Sequence, residues 1–217
     1  MIKACVFDAF GTLFNLDSSI LADIDHPKLK DILSYAREKQ LSYTWLRSLM
    51  KRYIPFDEIT KIALQDGCKK YGVEVGMVEE IIPLYFEPTV FEDVMPTLAK
   101  INKTQIDTAI LSNGTFAMLE SGITKNEIGH FIDHVFSVDD IKIFKPDPAA
   151  YSMVTAQLKL SPEEVLFVSS NQWDVTGAAS FGFNVAWVNR NDVFRESVTI
   201  TPNVQEVSSL TKLIDII

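Results

Sequence analysis

Two cysteines in 217 residues, Cys5 and Cys68, are too few and too far apart for a disulfide framework or a thiolate metal site. Histidine is scarcer than any catalytic cluster would suggest: His26, His130 and His134. The last two have metal-like spacing, but no third ligand stands out beside them, so no metal is expected. No stretch approaches the ~18 to 20 uninterrupted apolar residues of a membrane helix, and no glycine-rich loop of the nucleotide-binding kind occurs. Positive charge is also in deficit, with 20 Lys and Arg against 29 Asp and Glu and a net charge of −9. That speaks against a nucleic-acid surface, which needs a basic stripe. The local basic concentration from Arg47 to Arg52 falls in a helical pattern and reads as a solvated face. An anionic ligand would be repelled by the overall field and must be held by local cations and backbone amides. Met1 to Asp8 lacks the features of a signal peptide and reads as a first strand, and a cytoplasmic location is the expectation.

What the chain does have is apolar content, 47% of its residues, enough for one α/β domain carrying a smaller insert. Short apolar runs mark strands at Ile2 to Phe7, Asp107 to Leu111, Val135 to Val138, Val165 to Val168 and Asn184 to Val188. Val204 to Ile217 adds an edge strand and a closing helix. From about Ser18 to Phe86 the period becomes helical, with Leu29, Ile32, Leu33 and Ala36, then Leu41, Trp45, Leu46 and Leu49, at steps of three and four. Phe56 to Tyr71 and Met77 to Phe86 continue as helices, with Pro55 and Pro83 as boundaries or first-turn positions. Continuous apolar strands alternating with helices predict a doubly wound parallel sheet covered on both faces. The expected organisation is an α/β core of residues 1–14 and 88–217, with residues 15–87 inserted as a helical cap.

Asp8, Ser112 and the Ser169 to Asn171 stretch each follow a strand, and Lys145 lies in a loop after another. In open parallel sheets, ligand sites gather at the carboxyl edge of the strands, so these distant residues are expected to share one crevice, with the insert as a lid. Each also has a plainer reading: Asp8 as a turn aspartate, Ser112-Asn113-Gly114 as a cap, Lys145 as a surface charge, Asp174 as a partner for a helix dipole. Together they suit covalent chemistry. A rigidly held carboxylate can act as a nucleophile, Thr12 can orient it, and a lysine beside it keeps it ionised.

Phe7-Asp8-Ala9-Phe10-Gly11-Thr12-Leu13-Phe14, Leu111-Ser112-Asn113-Gly114, Lys145-Pro146-Asp147 and Val168-Ser169-Ser170-Asn171-Gln172-Trp173-Asp174 resemble, in order, the four motifs of the haloacid dehalogenase superfamily. The stretch from Arg37 to Met50 is similar to the cap helix of the L-2-haloacid dehalogenases, type II. The resemblance runs from about Ile2 to Arg190 and implies a Rossmann-like core with a helical cap and no cofactor. It implies a small 2-haloalkanoic acid as substrate, turned from (S)-2-haloacid to (R)-2-hydroxy acid through an ester on Asp8. Thr12 would orient Asp8, and Arg37 with Asn113 would take the halide. Ser112 and backbone amides near Phe10 would bind the carboxylate. Lys145 would stabilise the charges at Asp8, with Tyr151, Ser169, Asn171 and Asp174 supporting the hydrolytic water. Phe10, Leu41, Phe56 and Trp173 would wall the alkyl group. A homodimer is also implied, although Leu46, Leu49 and Met50 are expected to pack inside the cap.

Phosphatases of the superfamily carry an acid two residues after the nucleophile, where this chain has Phe10, and an extra acid in the fourth motif, where it has Ser169, Ser170 and Asn171. A magnesium-dependent phosphatase and a non-catalytic carboxylate binder stand as the alternatives. Glu38, where the family usually has glutamine, is a further departure, and pairing with Arg37 is one expectation for it. Ala36 and Phe10 depart from a usual tryptophan and tyrosine, and residues 15–27 match poorly.

Overall fold

The computed structural model describes residues 1–16, 24–199 and 203–217. The expected helical start near Ser18 lies outside the described residues. The chain opens with β1 (Ala4–Phe7), whose four residues are all buried. β2 (Phe14–Asn15) follows the first loop. Three helices come next: α1 (Leu29–Leu49), α2 (Phe56–Tyr71) and α3 (Met77–Phe86). β3 (Thr89–Val90) pairs antiparallel with β2, joining Phe14 to Val90 and Asn15 to Thr89. This two-rung ribbon, too short for sequence periodicity to reveal, brings the two ends of the helical segment together at the core.

The remainder alternates between α4 (Val94–Ile101), β4 (Asp107–Ser112), α5 (Phe116–Lys125), β5 (His134–Ser137), α6 (Pro148–Leu158), β6 (Val165–Ser169), α7 (Gln172–Phe181), β7 (Asn184–Val188) and β8 (Val204–Val207). Six strands form one sheet in the order β5-β4-β1-β6-β7-β8, every pair parallel. β1, β4 and β6 are buried almost residue for residue, as a sheet covered on both faces requires. The chain builds outward from β1 on one side through β4 and β5, then returns to build β6, β7 and β8 on the other. β1 therefore sits at the topological switch point, where a crevice opens beyond the strand ends. Asp8 is the first residue past it.

Three expectations need correction. Pro83 lies inside α3 and does not bound it. The closing element, Leu210–Asp215, is a 3-10 helix anchored by Leu210 and Leu213, both buried. In α1 the core-facing stripe is Leu29, Ile32, Leu33 and Ala36, continuing through Gln40 and Thr44. Leu46, Leu49 and Met50 consequently face outward, 50%, 80% and 55% exposed, and do not pack inside the helical region. The reason is the 3.6-residue period: once Leu29, Leu33 and Ala36 set the buried face against α2, positions 40 and 44 fall on it and 46 and 49 fall off it, while Met50 lies just past the helix end.

Candidate active site

The first loop is shaped by Gly11, whose φ of +90° is accessible to glycine at little cost. Asp8 receives the Val168 carbonyl through its backbone N–H, which donates at 2.9 Å and ties the loop to β6. Its carboxylate is nearly inaccessible, and its two oxygens are treated differently. Oδ2 accepts from Asn171 Nδ2 at 2.7 Å, Thr12 Oγ1 at 3.0 Å and Ser169 Oγ at 3.3 Å. Oδ1 accepts from Lys145 Nζ at 3.0 Å.

Lys145 is fully buried and uses all three of its protons. The other two go to Asp174 Oδ2 at 2.6 Å and the Leu111 carbonyl at 3.0 Å. Asp174, also fully buried, accepts from the Tyr151 hydroxyl through Oδ1 at 2.8 Å. Burial by itself pulls the Lys145 ammonium down, but the charges of Asp174 and Asp8 outweigh it and hold the pKa above the ordinary value. Burial pushes the Asp174 carboxyl up to about 6, with Lys145 opposing and Asp8 reinforcing the rise. Burial likewise raises the Tyr151 phenol well above its usual range. Tyr151 reaches Asp174 only because residue 177 is glycine: a Cβ there would lie 2.3 Å from the phenolic oxygen.

Above this base, α1 contributes Arg37 and Leu41 and α2 contributes Phe56. With Asp8, Phe10, Ser112, Asn113, Lys145, Asn171 and Trp173 they line one small cavity. Its free volume is about 10 Å³, room for about one water. A larger ligand therefore requires the helical wall or its side chains to shift. Phe10 stacks on Phe56 with centroids 6.1 Å apart, and Trp173 meets Trp45 edge to face at 5.9 Å. Asn171 links the two walls: its Nδ2 also donates to the Phe10 carbonyl at 3.2 Å, while its Oδ1 accepts from Arg37 Nη2 at 3.3 Å.

Asn113 Oδ1 accepts from the Lys145 backbone N–H at 2.9 Å, which fixes the sense of the amide. Its Nδ2 is buried and has no partner among the described residues, as is true of Trp173 Nε1. An unmet buried donor costs about 1–3 kcal/mol, so each is a natural place for a ligand acceptor. Ser112 Oγ accepts from the Gly114 N–H at 3.0 Å.

Every residue that the resemblance implied for the site thus falls in one cluster, in two layers. Thr12, Tyr151, Ser169 and Asp174 stand behind the cavity and hold Asp8 and Lys145. The others line it. Glu38 does not pair with Arg37; it is exposed and paired with Lys39 at 3.0 Å, while the Arg37 guanidinium turns to Gln40 and Asn171. His130 and His134 stand apart, His134 opening β5 at the amino edge of the sheet, away from the cavity. A divalent cation is a poor fit: the Lys145 ammonium already stands between Asp8 and Asp174, and both Asp174 oxygens are engaged.

Sequence reasoning missed a brace behind the site. Arg190 donates to Asp93 Oδ1 and Oδ2, to the Thr12 carbonyl at 2.9 Å and to Ser170 Oγ at 3.1 Å. Burial opposes ionisation of Asp93, but Arg190 and the Leu210 N–H hold its pKa below the ordinary value. Ninety-seven residues separate this pair, so no local signal announces it. Gln40 was missed too, although a polar residue on the apolar stripe of α1 is a signal that periodicity can expose.

Residues 2–182 match the haloacid dehalogenase-like hydrolase family. The chain is 36% identical to (S)-2-haloacid dehalogenase 1 of Pseudomonas sp. (strain CBS-3), covering 98% of this chain and 95% of that one. It is also 36% identical to (S)-2-haloacid dehalogenase 4A of Burkholderia cepacia, covering 98% and 93%. Its fold is similar to that of L-2-haloacid dehalogenase from Xanthobacter autotrophicus with chloropropionic acid covalently bound. That likeness has a TM-score of 0.90 and 33% identity, covering 100% of this chain and 98% of the other.

Proposed function

The chain belongs to the haloacid dehalogenase-like hydrolases, in the L-2-haloacid dehalogenase family, and from that membership we propose that it hydrolyses (S)-2-haloalkanoic acids to (R)-2-hydroxy acids and halide. The observation that carries this reading is the asymmetry at Asp8. Three donors commit Oδ2, while among the described residues Oδ1 meets Lys145 alone and keeps electron pairs for attack. Oδ1 attacks C2 of the substrate from behind, the carbon–halogen bond breaks, and the halide leaves with both electrons of that bond. Arg37, with the unmet Asn113 Nδ2, receives the anion; a guanidinium is permanently charged and weakly hydrated, which suits a large soft halide. Ser112 and loop amides near Phe10 hold the substrate carboxylate. Phe10, Leu41, Phe56 and Trp173 enclose the alkyl group and keep bulk water from the nucleophile.

Water then adds to the Asp8 carbonyl carbon of the ester. The bond from that carbon to the alkoxy oxygen breaks, a proton moves to the alkoxide, and Asp8 is regenerated with an oxygen from water. C2, inverted once, is untouched. Lys145 offsets the charge that develops on Asp8, and Asp174, Tyr151, Ser169 and Asn171 hold the groups around the hydrolytic water. We assign the exposed stripe of Leu46, Leu49 and Met50 to a homodimer contact, and a cytoplasmic location to a chain whose two cysteines are free and buried.

Halide release from each enantiomer of 2-chloropropionate tests the reading. Release is expected from the (S) form alone, indifferent to EDTA, and lost by at least a thousandfold in Asp8→Asn, on the order of 4 kcal/mol in the barrier. Release by Asp8→Asn at the native rate would remove the nucleophile, and no release by the native protein would remove the activity.

A further inference from the structure

Arg37 is held from two sides. Its Nη2 donates to Asn171, as above, and its Nη1 donates to Gln40 Oε1 at 2.8 Å. Gln40 is 2% exposed on the face of α1 that packs against α2, where a leucine would pack without needing polar partners. Burying an amide there is tolerable only if it is hydrogen-bonded, and Gln40 Nε2 donates to Thr60 Oγ1 at 2.5 Å. Thr60 in turn donates its hydroxyl to the Phe56 carbonyl at 2.7 Å. A hydroxyl carries one proton. With that proton on the helix carbonyl, Thr60 can only accept from Gln40. The amide therefore has one permitted sense: nitrogen toward Thr60, oxygen toward Arg37. The reverse sense would set amide N–H groups against the guanidinium.

We propose that Gln40, its amide fixed by Thr60, is a positioning residue that sets the guanidinium of Arg37 for capture of the departing halide. The proposal rests on the functional reading above, in which Arg37 takes that anion. Two of the five guanidinium N–H donors are spent on Gln40 and Asn171, and the remaining donors serve the halide. The relay also joins Arg37 to Phe56 through the Phe56 carbonyl, so one hydrogen-bonded chain fixes both a cation and an apolar wall of the same cavity.

The test uses Gln40→Leu, Thr60→Val and Thr60→Ser in the full chain. The readouts are inhibition by chloride and bromide, and kcat and KM for (S)-2-chloro- and (S)-2-bromopropionate. Gln40→Leu is expected to raise the halide inhibition constants roughly tenfold to a hundredfold, the scale of a lost hydrogen bond to a charged group. Its kcat should fall more for the chloride substrate, whose leaving group needs more help. Thr60→Val should move both readouts in the same direction by less, and Thr60→Ser, which keeps the hydroxyl, should restore them. If Gln40→Leu fails to fold, the Thr60 pair decides the matter. Halide inhibition unchanged in Thr60→Val, or in a folded Gln40→Leu, with equal loss on both substrates would reduce Gln40 to a helix–helix tie and overturn the proposal. A native protein that releases no halide overturns the functional reading, and this inference with it; native release beside unaltered variants overturns this inference alone.

Discussion

On the sheet side of the cavity, every charge is met by buried partners. Lys145 spends its protons on Asp8, Asp174 and Leu111, Asp8 Oδ2 takes three donors, and Tyr151 closes the far side of Asp174. On the helical side, Arg37 is held by one amide from its own helix and one from across the cavity, and the wall is otherwise Leu41 and Phe56. Among the described residues, and beside Arg37–Asn171, the helical segment docks on the core through few polar contacts. Tyr53 donates to Asp139 at 2.7 Å, the Phe144 N–H donates to Ser48 at 3.0 Å, and Trp45 meets Trp173. The contrast teaches a division of labour. Nucleophilic chemistry needs charges that do not move, and low-dielectric pairing on strand-end loops supplies them. A cavity with room for one water must open to a substrate, and a wall held by a few contacts can do so at modest cost.

The sharpest way to break that contrast is Lys145→Met. It strands two carboxylates in the interior, and a loss of about 3–5 kcal/mol of stability is expected in urea unfolding, together with activity. A variant within 1 kcal/mol of native at neutral pH would show that the sheet side is not held by this ammonium. Next in size is Arg37→Lys. The charge is kept but the planar fork is not, so Asn171 and Gln40 cannot both be engaged. A fall of about tenfold to a hundredfold in kcat/KM is expected, with unfolding changed by less than about 1 kcal/mol, the scale of a partly exposed contact. An equal effect on stability and on turnover would place Arg37 with the sheet side.

Acid supplies a smaller effect. Asp174 holds the Lys145 pair when ionised, and its pKa lies at about 6, so kcat should decline as the pH falls through about 6. The stability effect has the opposite sign. A carboxyl raised above its ordinary value of 3.8 means the folded state binds that proton more tightly. Its contribution to stability is full below about 3.8 and is lost as the pH rises through about 6. Rate profiles and unfolding midpoints between pH 4 and 8 separate the two, and a kcat flat from pH 7 to 5 would contradict the assignment. The smallest effect is expected from Tyr53→Phe, which deletes one docking hydrogen bond: about 0.5–1.5 kcal/mol of stability, with KM changed more than kcat. If kcat moved as far as in Arg37→Lys, docking of the helices would belong to the chemistry.

The strand-end motifs were legible because each is local. A short apolar run followed by small polar residues is both a buried strand and its exit loop, and a parallel sheet aligns all such exits on one edge. Asp8, Ser112, Asn113, Lys145 and Asn171 could be placed together on that ground alone. The helices at Phe56–Tyr71 and Met77–Phe86 were equally plain from their period. The outer half of α1 misled because Leu46 and Leu49 also fall at helical steps, and periodicity does not say which of two apolar stripes meets a partner.

Local sequence sufficed for the alternation of strands and helices, the identity of the polar residues at the strand ends and the chemistry they could share, since these follow from neighbours within a few residues. Tertiary structure alone gave the two Asp8 oxygens unequal partners, joined Asp8 to Arg37 through Asn171 and linked Gln40 to both Thr60 and Arg37. It alone paired Arg190 with Asp93. Those outcomes depend on distances between side chains tens to more than a hundred residues apart, and on the single proton of a hydroxyl or the fixed sense of an amide, which no local pattern encodes.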